Sequence, residues 1–100
     1  MFTKRIKQLR EERQMPQRQL AAVLEIDTAT YCKIEKGERR AKKEYIPIIA
    51  EVLGTEKDEL LTLWLADQVT AVVAEEKDLS NKVLSIAKQN IKNQAQYELE

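Results

Sequence analysis

Residues 16–37 read PQRQLAAVLEIDTATYCKIEKG, from Pro16 to Gly37, and the fold is decided by how this stretch is read. Pro16 has no N–H to donate, and its fixed φ suits the first turn of a helix. Between Gln17 and Leu24, the side chains of Leu20, Ala21, Val23 and Leu24 make one apolar face, which predicts a short helix. Glu25-Ile26-Asp27 follows with no strong helical pattern. Asp27 is placed to cap a second helix, because its carboxylate accepts from N–H groups two or three residues on. That helix spans Thr28 to Lys36 and stops at Gly37, a residue free to take the positive φ of the position after the cap. Tyr31 and Ile34 point inward at i, i+3 spacing. Thr28, Ala29, Cys32, Lys33 and Lys36 are left on the opposite face, small near its start and cationic further along.

Helical spacing continues on both sides. From about Thr3 to Arg13, Ile6 and Leu9 mark one face, with Phe2 and Arg13 a turn away, among Lys4, Arg5, Lys7, Arg10 and Glu11. Gln14-Met15-Pro16 interrupts that helix, since Pro16 disfavours the helical region at Met15. A fourth helix, about Lys43 to Leu53, carries Ile46, Ile49, Ala50 and Leu53, with Pro47 marking its first turn and Gly54 its end. A fifth opens at Thr55-Glu56-Lys57-Asp58, a capping-box-like start with Asp in the Glu/Gln position. With no Gly or Pro beyond Gly54, it is free to run to about Glu76. Asp78 or Ser80 caps a sixth, which shows Val83, Ile86, Ala87 and Ile91. The polar stretch from Asn93 to Glu100 is expected to fray.

Composition agrees with an all-α fold. One hundred residues make one domain, or one small domain with an appendage. The chain is 43% hydrophobic and 34% charged, which is a folding rather than a disordered composition. Two Gly, two Pro and one Phe leave little material for a β-sandwich. With no His and the single Cys32, His/Cys zinc sites, a Ser-His-Asp triad and a disulfide within the chain are excluded. Adjacent acids such as Glu11-Glu12 and Glu75-Glu76 point to different sides of a helix and frame no cleft, so no enzyme and no cofactor is expected. MFTKRIKQLREERQ has no apolar signal core, and the apolar run Leu63 to Ala66 is far too short to cross a bilayer. A cytoplasmic protein without membrane contact is expected. The zero net charge hides a division, +6 over residues 1–43 and −6 over residues 44–100. That permits a basic binding face on an otherwise acidic molecule.

Two short helices joined by a tight turn, the second capped at its start and closed by glycine, form a helix–turn–helix, the unit that places one helix in the major groove of double-stranded DNA. On that reading the short side chains allow close approach, the Thr and Ala methyl groups meet thymine methyls, and Lys33 donates to guanine or to phosphate.

The longer stretch LREERQMPQRQLAAVLEIDTATYCKIEKGERRAKKEYIPIIAEVLGTEKDELL resembles the phage repressor/Cro-type, or XRE-like, helix–turn–helix regulators. The matching pieces are Leu9-Arg10, Gln17 with Leu20-Ala21, Ile34-Glu35-Lys36-Gly37, Ile49-Ala50 with Leu53-Gly54, and Asp58-Glu59-Leu60-Leu61, together covering about residues 3–62. The resemblance implies a five-helix DNA-binding domain in a bacterial or phage-encoded protein. It implies base contacts from Thr28, Ala29 and Lys33. It implies phosphate contacts from Gln17, Thr30, Cys32, Lys36, Arg39, Arg40, Lys42 and Lys43, and an internal salt bridge between Arg10 and Glu35. The sequence departs from the family in two turns: Glu25 stands where Gly is usual, and Pro16 replaces a Ser/Thr/Asn cap.

The domain so implied ends at residue 62, leaving residues 63–100 as a helical extension. The fifth helix carries Leu61, Trp64, Leu65, Val69, Val72 and Val73, an apolar stripe wider than a 60-residue globule needs, so a homodimer interface is expected there. The function expected is a dimeric transcriptional regulator, such as a repressor, on a pseudo-palindromic operator. The alternatives are a controller of a restriction-modification or toxin–antitoxin cassette, and a protein-interaction adaptor built on the same fold. The operator and any small-molecule effector are not legible in the sequence.

Overall fold

A computed structural model describes the backbone of residues 1–99 and the side chains of residues 1–94. Six helices follow one another: α1 Phe2–Glu12, α2 Gln17–Val23, α3 Thr28–Glu35, α4 Tyr45–Leu53, α5 Lys57–Val73 and α6 Ser80–Leu99. The all-α expectation holds, with helix ends within one or two residues for α1 to α4. The chain divides into two compact units, residues 1–67 and 68–100.

The first unit is built on Phe2, Ile6, Leu9, Leu20, Ala21, Leu24, Tyr31, Ile34, Ala41, Ile46, Ile49, Ala50, Leu53 and Leu60, all buried. All but Leu24 and Ala41 lie at apolar positions of helical spacing on five helices, so one stripe from each faces a shared core. Its edge is closed by Met15, Ile26, Tyr45, Val52, Leu61, Leu63 and Trp64, partly buried against it. The unit reaches Asp67, past the expected end at residue 62, for a physical reason. Asp67 accepts from the Phe2 N–H at 2.9 Å, satisfying a first-turn donor of α1, and Trp64 donates to the Ala41 carbonyl at 2.9 Å. Leu61 and Trp64, expected in a dimer interface, therefore serve in large part inside their own unit.

Two turns are made without glycine. Gln14 and Glu25 take left-handed φ of 54° and 59°. Glu25 takes the strained left-handed alternative open to a non-Gly residue in the turn between α2 and α3. The start of α5 differs from the expected capping box, in which the Thr55 oxygen would accept from the Asp58 N–H and the Asp58 carboxylate from the Thr55 N–H. The Thr55 N–H instead bonds the Ala50 carbonyl at 2.9 Å, the Thr55 hydroxyl donates to Glu59 at 2.9 Å, and Arg5 donates to the same carboxylate at 2.9 Å. The hydrogen bond from Thr55 first, and then that from Arg5, holds the Glu59 carboxyl below its ordinary range.

The second unit begins within α5, turns between Val73 and Ser80, and continues as α6. Ser80 opens α6 with its hydroxyl donating back to the Lys77 carbonyl at 2.9 Å. The described backbone stays helical to Leu99, beyond Asn93 where fraying was expected; that expectation otherwise falls on Glu100 and on side chains from residue 95 onward, outside the described residues. Val69, Val72, Leu79, Val83, Ile86 and Ile91 are all exposed. No described helix is long and apolar enough to cross a membrane.

Candidate nucleic-acid interface

The geometry of α3 is set at both ends. Asp27 has extended backbone angles, and its carboxylate accepts from the Thr30 N–H at 2.6 Å. The hydrogen bond from Thr30 first, then the charges of Lys33 and Arg39, keep that carboxyl below its ordinary range. At the other end Gly37 takes φ 81°, its N–H bonding the Ile34 carbonyl at 3.0 Å while the Glu38 N–H bonds the Lys33 carbonyl at 2.9 Å. This paired closure satisfies the last carbonyls and turns the chain away from the helix axis. Cap and closure both fall where sequence reasoning put them.

Between these ends the helix is two-sided. Tyr31, Ile34 and Glu35 are buried, packed toward α1 and α2. Thr28, Ala29, Lys33 and Lys36 are exposed, while Thr30 and Cys32 are half-buried between the two faces. An exposed face with threonine and alanine ahead of two lysines is the surface that the sequence pattern predicts.

Beneath that face a hydrogen-bonded chain locks α3 to the rest of the domain. Arg10 on α1 grips Glu35 with both arms, Nε to Oε2 at 2.9 Å and Nη2 to Oε1 at 2.7 Å, and gives a third hydrogen bond from Nη1 to the Met15 carbonyl at 2.8 Å. Burial alone would raise the Glu35 carboxyl. Hydrogen bonding to Arg10, the Arg10 charge and the Gln17 amide outweigh that and hold it below its ordinary range. The Glu35 hydrogen bonds likewise raise Arg10 against the opposing effect of burial. Gln17 donates from Nε2 to Glu35 Oε1 at 3.3 Å and accepts at Oε1 from the Cys32 thiol at 3.0 Å. Tyr31 lies next to this group with its hydroxyl fully enclosed and, among the described residues, without a hydrogen-bond partner. Burial, and then the neighbouring Glu35 carboxylate, push that phenol far above its ordinary value.

The loop after Gly37 presents its cations outward. Arg39, Arg40, Lys42 and Lys43 are all exposed, while Ala41 between them is buried and its carbonyl is held by Trp64. The Lys42 ammonium lies 6.0 Å from the centre of the Tyr45 ring. One buried alanine thus anchors a loop whose other side chains point to solvent. Arg18, exposed on the first turn of α2 beside Gln17, adds a cation that the spacing argument did not single out. The signal was there in the Gln17-Arg18 pair after Pro16, at the helix end that the resemblance assigns to phosphate. The Trp64–Ala41 link was not legible, because it joins residues 23 apart in sequence.

Comparison with known proteins rests on one family. A helix-turn-helix family model matches residues 6–60, more than half of the chain and most of the first unit. No curated protein and no solved structure is matched by the chain. Given the capped and glycine-closed α3, its exposed outer face and this match across five helices, the chain belongs to the XRE-like helix–turn–helix family of DNA-binding transcription regulators.

Proposed function

We propose that the protein is a sequence-specific regulator that acts in the cytoplasm as a homodimer, laying α3 of each subunit in the major groove of one half of a pseudo-palindromic operator. The reading rests on the exposed Thr28-Ala29-Lys33-Lys36 side of α3, flanked by a cationic loop. Thr28, Ala29 and Lys33 read base edges: the first two through methyl contacts, Lys33 as a donor to guanine. Gln17, Thr30, Lys36, Arg39, Arg40, Lys42 and Lys43 hold phosphates on either side and fix the register of the helix. The cap role of the Asp27 carboxylate, which accepts from the Thr30 N–H, offsets part of its repulsion of phosphate.

The dimer reading has a separate support. Leu65, Val69 and Val72 are 45%, 47% and 80% exposed. Apolar side chains left open along one helix favour a partner surface, and a second copy would supply the second half-site reader. Leu61 and Trp64 contribute less to such a contact, since they already pack on the core.

Selection of bound sequences from a random DNA pool tests base reading. The expected product is an inverted repeat with half-site centres about 10–10.5 bp apart. Light scattering on the full chain tests assembly, with a dimer expected for the wild type and a monomer for Val69→Glu/Val72→Glu. A pool with no enriched sequence ends the base-reading proposal. An enriched single site bound by a monomer ends the dimer proposal and keeps the other.

A further inference from the structure

The Gln17 amide is held at both ends, and the polarity of the chain around it is forced. Glu35, ionised and paired with Arg10, offers only acceptors. The Gln17 group facing it must therefore be the NH2, as found at 3.3 Å. That places Oε1 toward Cys32, where the thiol supplies the one donor, at 3.0 Å. If the amide were flipped, its oxygen would face the carboxylate, acceptor against acceptor. Gln17 is half-buried and sits at the first position of α2, so one of its two amide hydrogens goes to Glu35 while the other remains for a ligand.

We propose that Cys32 is a positioning residue for DNA binding: with Glu35 it fixes the Gln17 amide so that the second N–H is aimed at a phosphate. This rests on the reading of Gln17 as a phosphate contact. It replaces a direct phosphate contact by Cys32, whose thiol proton is already given to Gln17. A long flexible side chain that must be ordered on binding loses rotamer entropy at that moment, whereas one held in advance does not. What Cys32 contributes is therefore a donor at one place, and a hydroxyl there does the same.

The test uses the full chain and the best sequence from the selection, with affinity measured by fluorescence anisotropy over a range of salt. Cys32→Ala is expected to weaken binding about three- to tenfold, the size of one lost hydrogen bond, and to leave the salt slope unchanged, because a neutral amide displaces no counterion from DNA. Cys32→Ser is expected to restore the affinity. The double variant Cys32→Ala/Gln17→Ala is expected to bind no more weakly than Gln17→Ala alone, because the two act through one contact. A DNA-free readout stands beside these: the side-chain amide order parameter of Gln17, measured by NMR, should fall in Cys32→Ala and recover in Cys32→Ser. If the two single losses add in the double variant, or if the Gln17 amide stays rigid in Cys32→Ala, the positioning role is overturned and the phosphate contact survives. If Gln17→Ala itself leaves affinity unchanged, the phosphate reading of Gln17 falls, and the positioning role with it.

Discussion

Replacing Arg10 with methionine removes one half of the ion pair beneath α3 and leaves the other half buried. The Glu35 side chain is 2% exposed and that of Arg10 is 11% exposed, so water cannot solvate the orphaned carboxylate. Breaking such a pair costs about 3–5 kcal/mol. The lower end, about 3 kcal/mol, is expected here, because Gln17 still donates to Glu35 and the variant carboxyl can take up a proton. The pH dependence carries the sharper signature. In the wild type the Glu35 carboxyl is depressed, so its contribution is fully present above its unfolded pKa and is lost as pH falls through the folded one. In Arg10→Met, burial acts unopposed and raises that carboxyl, so the variant loses stability as pH climbs from acid toward neutral. The gap between the two proteins should therefore widen from pH 3 to pH 7. Urea unfolding followed by the fluorescence of Trp64, the one tryptophan, measures it. Arg10→Met/Glu35→Leu should recover most of the loss, since an apolar pair needs no compensation. A gap that is the same at both pH values, or one below about 1 kcal/mol, would refute the reasoning.

Three further outcomes are expected. Lys33→Ala should weaken specific binding more than non-specific binding, whereas Arg40→Ala should weaken both about equally and flatten the salt slope; competition titrations against the selected and a random duplex separate the two. Glu25→Gly should raise the melting temperature by roughly 2–6 °C, because relief of the left-handed strain at φ 59° exceeds the added entropy of the unfolded chain. Tyr31→Phe deletes a hydroxyl that is buried without a partner, so its unfolding free energy should stay within about 1 kcal/mol of the wild type or exceed it; a larger loss would mean that the hydroxyl bonds Glu35 in solution.

Features governed by residues close in sequence were legible. Asp27, Gly37 and the inward pair Tyr31 and Ile34 follow from cap chemistry, backbone freedom and helical spacing. The turn at Glu25 was identifiable as a place where glycine is missing, while nothing in the residue type at Gln14 marks its left-handed backbone. The Arg10–Glu35 pair came from family resemblance alone, since the partners lie 25 positions apart. The Gln17–Cys32 contact, across 15 positions, had no signal of that kind. How far the first compact unit extends along α5 was not legible for a similar reason. The apolar stripe of α5 continues smoothly from Leu60 to Val73, and only the tertiary hydrogen bonds of Trp64 and Asp67 show how far it belongs to the core.

The exposed cations at Lys33, Lys36, Arg39, Arg40, Lys42 and Lys43 fall within eleven consecutive residues of a chain whose net charge is zero. Such a molecule is electrically neutral to a gel and strongly basic to a polyanion. It should stay on a heparin column at its own isoelectric point and leave with moderate salt. In dilute buffer the basic stretch of one molecule will seek the acidic half of another, so solubility should be poorest where ionic strength is lowest. Storage in about 0.15 M salt, where charges are screened beyond roughly 8 Å, removes that attraction.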